Sequence, residues 1–129
     1  MIAADTNVWV RAYLNDDAAQ AKIARSALAK ARSEGGVFVP LLVLAELSWV
    51  LRGSWDRERV LNAIKSLMQT RGVVIESPEL ASKALEASRN GSVGFADHLI
   101  SQISFNSGAD EIITFNKGFG KIPRIRFLK

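Results

Sequence analysis

The hydrophobic positions of this chain form short continuous runs that alternate with longer segments of helical periodicity. The short runs have the length of strands that are buried in a parallel sheet. They predict strands at 1–4, 37–39, 73–75, 112–115 and 125–128. The periodic segments predict helices at about 7–14, 18–32, 41–51, 57–70, 78–90 and 95–106. This alternation predicts an α/β fold, with a mostly parallel sheet of four to five strands that is covered by helices on both faces.

The helix predicted at 18–32 is rich in alanine and carries several positive charges. Its expected buried stripe consists of Ile23, Ala27, Leu28 and Ala31. The basic residues outside that stripe are Lys22, Arg25, Lys30 and Arg32. A solvated helix face is the simpler explanation of these charges, and phosphate binding is the alternative.

The helix predicted at 41–51 follows Pro40 and is apolar nearly all round, so we expect it to be largely buried. Glu46 is its one ionisable side chain. A buried carboxylate needs a partner, because an unpaired buried charge costs several kcal/mol. That partner is a metal ion, a proton, or a nearby Arg or Lys.

Composition narrows the function classes. The chain has 129 residues, which predicts a single domain over 1–129. It has no cysteine, which excludes disulfides and thiolate metal sites and fits a reducing cytoplasm, and no segment predicts a signal peptide or a membrane span. His98 is the only histidine, so a zinc site is disfavoured and any metal is expected to be Mg²⁺ or Mn²⁺ with oxygen ligands. A net charge of +4 favours a polyanionic partner.

Four polar residues lie close to the predicted strand ends. Asp5 follows the first strand, Glu46 comes shortly after the second, Asp97 opens the helix before the fourth, and Asn116 follows the fourth. Each has a local explanation, such as a helix cap for Asp5 or a favourable helix dipole for Asp97. Because parallel strands bring their carboxyl ends to one edge of a sheet, these residues together predict one cleft with three carboxylates and one amide.

Carboxylates that lie so close together repel one another unless a cation joins them. Mg²⁺ suits such a site, since it binds a few carboxylates and several waters, neutralises a phosphate and supplies a hydroxide nucleophile. The pattern therefore favours metal-dependent hydrolysis of phosphodiester bonds. A phosphatase of the haloacid-dehalogenase type also begins with a strand that ends in aspartate. It requires a second aspartate two residues later, where this chain has Asn7.

Four short motifs resemble those of the PIN-domain ribonucleases, and more narrowly the VapC-type toxins of toxin–antitoxin operons. They are Asp-Thr-Asn-Val-Trp at 5–9, Glu46 in a helix after a short strand, Phe-Ala-Asp at 95–97 and Thr-Phe-Asn at 114–116. The resemblance covers essentially the whole chain. It implies a three-layer α/β/α sandwich, RNA cleavage that depends on Mg²⁺ or Mn²⁺, a homodimer, and inhibition by a cognate antitoxin.

The resemblance also assigns residue roles. Asp5, Glu46 and Asp97 match the acidic metal-binding positions, Thr6 and Asn7 match the polar pair beside the first acid, and Thr114 matches the threonine before the fourth acidic position. This chain has Asn116 where aspartate is commoner. An amide oxygen still coordinates Mg²⁺ but brings no charge, so we expect weaker binding of a second metal ion. A domain that has lost catalysis and only binds RNA or a partner is the alternative.

The remaining candidates have less specific explanations. The basic tail from Lys117 to Lys129 is the first candidate for holding the RNA backbone. The candidates for positioning the substrate are Thr6, Asn7, Lys117 and Lys121. His98 points about 100° away from Asp97 around its helix and is expected to be structural or at the surface. The three tryptophans are expected in the core or at a dimer interface rather than stacked on bases; they are Trp9, Trp49 and Trp55.

Overall fold

A computed structural model describes all of residues 1–129 and confirms an α/β fold with parallel strands. Every predicted helix and strand is present, and most ends differ by no more than two residues. The strands are β1 (Ile2–Ala3), β2 (Val37–Val39), β3 (Val73–Ile75), β4 (Ile112–Thr114) and β5 (Ile125–Phe127). The helices are α1 (Thr6–Leu14), α2 (Ala18–Ser33), α3 (Leu41–Leu51), α4 (Arg57–Met68), α5 (Pro78–Ser88) and α6 (Phe95–Asn106). A 3₁₀ turn at Phe119–Lys121 lies between β4 and β5.

The chain divides into two compact units, Met1–Pro78 and Glu79–Lys129. The strands form a parallel sheet of three in the first unit and one of two in the second, whereas the sequence predicted one sheet of four to five strands. A single domain over 1–129 stays a prediction. No helix is long and apolar enough to cross a membrane.

The sheet of the first unit has the order β1-β2-β3. Ile2 pairs with Val37, and Val39 pairs with Ile75. The prediction that the first strand is buried is wrong, since Ile2 is 53% exposed. The reason is that β1 lies at the edge of this sheet, where β2 is its one neighbouring strand. Strand β2, in contrast, has a neighbour on both sides.

The expected buried stripe of α2 is also wrong in part. Ala21, Ala24 and Leu28 are buried, whereas Ile23 is 69% exposed and Ala27 is exposed as well. Helix α2 packs against α1, and small alanine side chains allow two helices to approach closely. Packing therefore selects the alanine stripe, and Ile23 with Ala27 lines an open groove of about 540 Å³ between α1 and α2.

Helix α3 is buried on one side only, which corrects the expectation from its apolar sequence. Leu44, Leu47 and Leu51 are fully buried in the core of the first unit. Leu42 and Trp49 are 70% and 75% exposed, respectively. The residues at 42, 46 and 49 recur at helical spacing and so share the exposed face. A helix that is apolar all round can still expose one side, and its composition does not say which.

The first turn of α3 is capped from a distant strand. Its N-cap residue is Pro40, which makes no side-chain cap hydrogen bond. The backbone N–H of Leu41 instead donates to Oε1 of Glu76 at 2.8 Å, and the N–H of Glu76 donates to the carbonyl oxygen of Val39 at 3.0 Å. Glu76, which follows β3, therefore joins the ends of β2 and β3 to the start of α3.

The second unit contains most of α5, helix α6 and the parallel pair β4 and β5. Ile112 pairs with Ile125, and Thr114 pairs with Phe127. The 3₁₀ turn packs directly on β5. A Cβ atom at Gly120 would lie only 2.7 Å from the Cβ of Phe127. This close approach requires glycine at 120 and fixes the loop that follows the Thr-Phe-Asn motif.

Candidate active site

Asp5 is the N-cap residue of α1, as the local explanation predicted. Its Oδ1 accepts hydrogen bonds from the backbone N–H groups of Asn7 at 3.1 Å and Val8 at 3.4 Å. Its Oδ2 has no hydrogen-bond partner in the protein, and the side chain is exposed. The cap therefore fixes the orientation of the carboxylate and leaves one oxygen available to a ligand.

Thr6 connects the first motif to Glu46. Its hydroxyl donates to Oε1 of Glu46 at 2.8 Å, which bridges 40 residues of sequence. Helix α1 follows β1 and helix α3 follows β2, and the two helices pack against each other. The paired parallel strands thus place Thr6 beside Glu46, as expected for residues at the carboxyl ends of neighbouring strands.

The expectation that Glu46 is buried is wrong, since its side chain is exposed. Its position on the exposed face of α3 explains this. Its hydrogen-bond partner in the protein is the neutral hydroxyl of Thr6 and not a predicted Arg or Lys. Glu46 has one carboxylate oxygen held by Thr6 and a second, Oε2, that makes no hydrogen bond in the protein. Asn7 is exposed and supplies its backbone N–H to Asp5.

Asp97 lies in the first turn of α6 in the second unit. The N-cap of this helix is Gly94, which provides no side-chain hydrogen bond. An acid in the first turn is stabilised by the helix dipole, by about 0.3–1 kcal/mol. The carboxylate of Asp97 is half-buried, and its carbonyl oxygen accepts from the hydroxyl of Ser101 at 3.1 Å.

Thr114 and Asn116 form a hydrogen-bonded turn after β4. The N–H of Asn116 donates to Oγ1 of Thr114 at 3.0 Å, and Oδ1 of Asn116 accepts from the N–H of Phe119 at 3.0 Å. The carbonyl oxygen of Asn116 also accepts from the N–H of Gly120 at 3.0 Å. Asn116 therefore holds the 3₁₀ turn in place. This structural role was not predicted from the sequence, although asparagine before a glycine-rich loop is a recognisable turn pattern.

The basic tail contributes fewer free cations than its composition indicated. Arg126 forms an ion pair with Glu111 at 2.7 Å, and this contact lowers the pKa of the Glu111 carboxyl group. Arg124 donates to the carbonyl oxygens of Asp110 and Ala109 and lies 4.0 Å from the centre of the Phe105 ring. Lys117 and Lys121 are exposed and make no ion pair, so they remain the candidates for contacts to RNA.

Aromatic and histidine side chains divide into buried and exposed groups. Trp9 and His98 are buried, in agreement with structural roles. Trp55 lies edge-on to Tyr13, with ring centres 6.2 Å apart, and under the guanidinium of Arg59 at 4.0 Å. Trp49 is not a core residue, because its position on α3 is exposed. Its role at a dimer interface stays a prediction.

The oxygen donors of the first unit fit a hard cation such as Mg²⁺, because Asp5 and Glu46 each keep an unpaired carboxylate oxygen. The structure presents no group of three or more His, Cys, Asp or Glu side chains that could hold a metal ion. The complete ligand set of Asp5, Glu46 and Asp97 therefore stays a prediction.

Comparison with known protein families now gives the class of the protein. The model of the PIN domain family matches residues 2–125, which includes nearly the whole chain and parts of both compact units. The chain belongs to the PIN domain family. PIN domains are generally nucleases that use divalent metal ions. A search of curated proteins found no match.

Proposed function

We propose that this protein is a metal-dependent endoribonuclease and the toxin of a toxin–antitoxin pair. The observation that carries the proposal is the 2.8 Å hydrogen bond from Thr6 to Glu46. It joins two of the four PIN motifs through side chains, beside an Asp5 carboxylate that keeps a free oxygen. Membership of the PIN family supports the nuclease part of the proposal.

In this proposal Asp5, Glu46 and Asp97 hold one Mg²⁺ or Mn²⁺ ion, and Asn116 assists through its amide oxygen. The metal ion, when bound, supplies charge neutralisation at the scissile phosphate and lowers the pKa of a water molecule. The protein's own contribution is to orient the donors. The cap on α1 fixes Asp5, the Thr6 hydroxyl fixes Glu46, and Thr114 fixes the backbone at Asn116.

The substrate in this proposal is single-stranded or loop RNA, because its bases are accessible to a protein. Lys117 and Lys121 contact its phosphates, since both are exposed and neither is committed to an ion pair. The net charge of +4 supports a polyanionic substrate. The absence of cysteine is compatible with a cytoplasmic site of action.

Two protein partners belong to the proposal, a second copy of the chain and a cognate antitoxin. Exposed apolar surface supports protein contacts in general. Leu42 and Trp49 provide such surface on α3, and Ile23 provides it in the groove between α1 and α2. We assign the α3 face to the homodimer.

The test is cleavage of a labelled single-stranded RNA by the purified protein. We expect cleavage with Mg²⁺ or Mn²⁺ and none with EDTA. Asp5→Asn and Asp97→Asn should each lower activity about 100-fold or more, because even residues that only support a metal ligand cost 10–100-fold. Asp17→Asn is the matched control for Asp5→Asn. Asp17 is also an exposed N-cap, on α2, and asparagine preserves both caps while it removes the carboxylate.

Thr6 provides a second test of the same site. Thr6→Val removes the hydrogen bond to Glu46 and should lower activity about tenfold, whereas Thr6→Ser keeps the hydroxyl and should retain it. Activity that survives EDTA or Asp5→Asn would overturn the proposal. Tight RNA binding without cleavage would instead favour a domain that only binds RNA.

A further inference from the structure

A second candidate site lies within the first unit, away from the carboxylates. It is a pocket of about 180 Å³ between α1, α2 and the end of α4. Its lining residues are Trp9, Ala12, Tyr13, Arg25, Leu28, Arg32, Leu67 and Thr70. Neither Asp5 nor Glu46 lines it, and no acidic residue does. We refer to it as the arginine pocket.

The two arginines of the pocket carry hydrogen-bond donors that the protein does not use. Trp9 also lines the pocket and is 4% exposed, and its Nε1–H lies below the pocket surface without a hydrogen-bond partner. A buried donor without a partner is rare in native proteins. Arg25 donates its Nε–H to the carbonyl oxygen of Ala12 at 2.9 Å, which fixes the guanidinium and leaves its terminal nitrogens without an acceptor. Arg32 makes no hydrogen bond or ion pair.

The other polar groups of the pocket also suit an anion. Burial raises the pKa of Tyr13 above its usual value, an effect that the charge of Arg32 partly opposes. The phenol is therefore neutral at pH 7, and its hydroxyl can donate. The proton of the Thr70 hydroxyl is already donated to the carbonyl oxygen of Ser66 at 2.6 Å. Two guanidinium groups and a phenol, beside the side chain of Trp9, thus line a space with no negative charge.

Only two of the four basic residues of α2 line the pocket, and both are arginines. The sequence offers four cations on this helix, and the fold divides them into two pairs. Arg25 and Arg32 are seven residues apart, so they lie on one face of the helix, and both line the pocket. Lys22 and Lys30 do not line it. If any of these charges binds phosphate, the arginine pair is therefore the candidate.

We propose that the arginine pocket binds an oxyanion of the phosphate class, supplied by a small free phosphate ester or by a phosphate group of an RNA strand. Guanidinium groups recognise phosphate oxygens through charge-assisted, often paired hydrogen bonds. The volume equals about six water molecules, at about 30 Å³ each. It is smaller than the roughly 300 Å³ or more of sites for drug-sized ligands, so it fits a phosphate with a small attached group. The RNA source alone rests on the proposed nuclease function.

The test follows the indole N–H signal of Trp9 in two-dimensional NMR spectra of the full chain. The protein has three tryptophans, and the signal that Trp9→Phe removes identifies Trp9. Titration with inorganic phosphate, at constant ionic strength set with sodium chloride, should shift this signal in a saturable manner. The signal of the exposed Trp49 should not follow the same curve. Arg25→Gln and Arg32→Gln should each weaken phosphate binding about tenfold or more, as expected for hydrogen bonds to a charged group.

Lys22→Gln is the matched control, because it removes one positive charge from α2 outside the pocket and should leave phosphate binding unchanged. Parallel titrations with ribose 5-phosphate and with a short single-stranded RNA in EDTA identify the source. A saturable, arginine-dependent shift with the RNA assigns the site to a substrate strand, and one with ribose 5-phosphate alone assigns it to a free ester.

Failure of every titration to give a saturable shift, or equal shifts in the arginine variants and the native protein, would overturn the proposal. The titrations measure binding without metal or cleavage. Their outcome is therefore independent of whether the protein is a nuclease.

Discussion

At the residue scale, Asn116 has a structural role that is distinct from the catalytic role we propose for it. Its Oδ1 accepts from the N–H of Phe119 and thereby holds the turn after β4. A carbonyl oxygen has two lone pairs, so this bond leaves one direction open for a metal ion or a water molecule. Asp5 likewise combines a structural contact with an open position for a ligand: its Oδ1 caps α1, and its Oδ2 makes no hydrogen bond in the protein. Structural and catalytic roles therefore need to be separated by matched substitutions.

Asn116→Asp and Asn116→Ala make that separation. Aspartate keeps an acceptor for the Phe119 N–H and adds a negative charge, so the Mg²⁺ concentration for half-maximal cleavage should fall about tenfold, within the range for changes around a metal site. Alanine removes the acceptor and should lower the free energy of unfolding by about 1 kcal/mol, as loss of a cap does. Urea unfolding and cleavage at varied Mg²⁺ check both. An alanine variant as stable as the native protein would show that the turn does not depend on this amide.

At the scale of the element, α3 shows why an apolar sequence does not fix burial. One face fills the core with Leu44, Leu47 and Leu51, and the other exposes Leu42, Glu46 and Trp49. The helix also begins without a side-chain cap of its own, because Pro40 has no polar group there. Its first turn depends on Glu76, 35 residues further along the chain from Leu41. No local pattern reveals this contact, because the parallel pairing of β2 with β3 creates it.

Replacing Glu76 tests this cap. Glu76→Ala removes the acceptor for the Leu41 N–H and should lower the free energy of unfolding by about 1 kcal/mol, within the 0.5–2 kcal/mol that caps contribute. Glu76→Gln keeps an oxygen acceptor and should recover most of that loss. Urea denaturation followed by circular dichroism measures both variants. If the alanine and glutamine variants lose equal stability, the charge rather than the hydrogen bond would be the stabilising feature.

At the scale of the whole molecule, exposed apolar side chains bear on assembly. We expect a homodimer through the α3 face, since burial of Leu42 and Trp49 against a second copy would remove two large exposed side chains from water. The same face carries Glu46. If Glu46 acts in the proposed metal site, the second copy therefore has to leave its carboxylate accessible.

Trp49→Glu should convert this dimer to a monomer, because a carboxylate buried in the interface without a partner costs several kcal/mol. That cost corresponds to a dissociation constant raised about 100-fold or more. Size-exclusion chromatography with light scattering, over a range of protein concentrations, measures the change. Ile23→Glu, at an exposed position on α2, is the control that should leave the dimer intact. A Trp49→Glu variant that dimerises as well as the native chain would exclude this face.

The sequence by itself determined the order and type of the elements and the residues of the four motifs. Strand and helix patterns are local, so periodicity, caps and turn residues were sufficient for them. Its pattern predicted a buried stripe on α2 that is wrong in part, and it did not distinguish the faces of α3, because the buried side of a helix depends on its neighbours. The tertiary structure alone joined Thr6 to Glu46, capped α3 with Glu76, occupied Asn116 with a turn, and separated Arg25 and Arg32 from the lysines of the same helix. Each of these contacts depends on how distant segments pack, which local patterns do not encode.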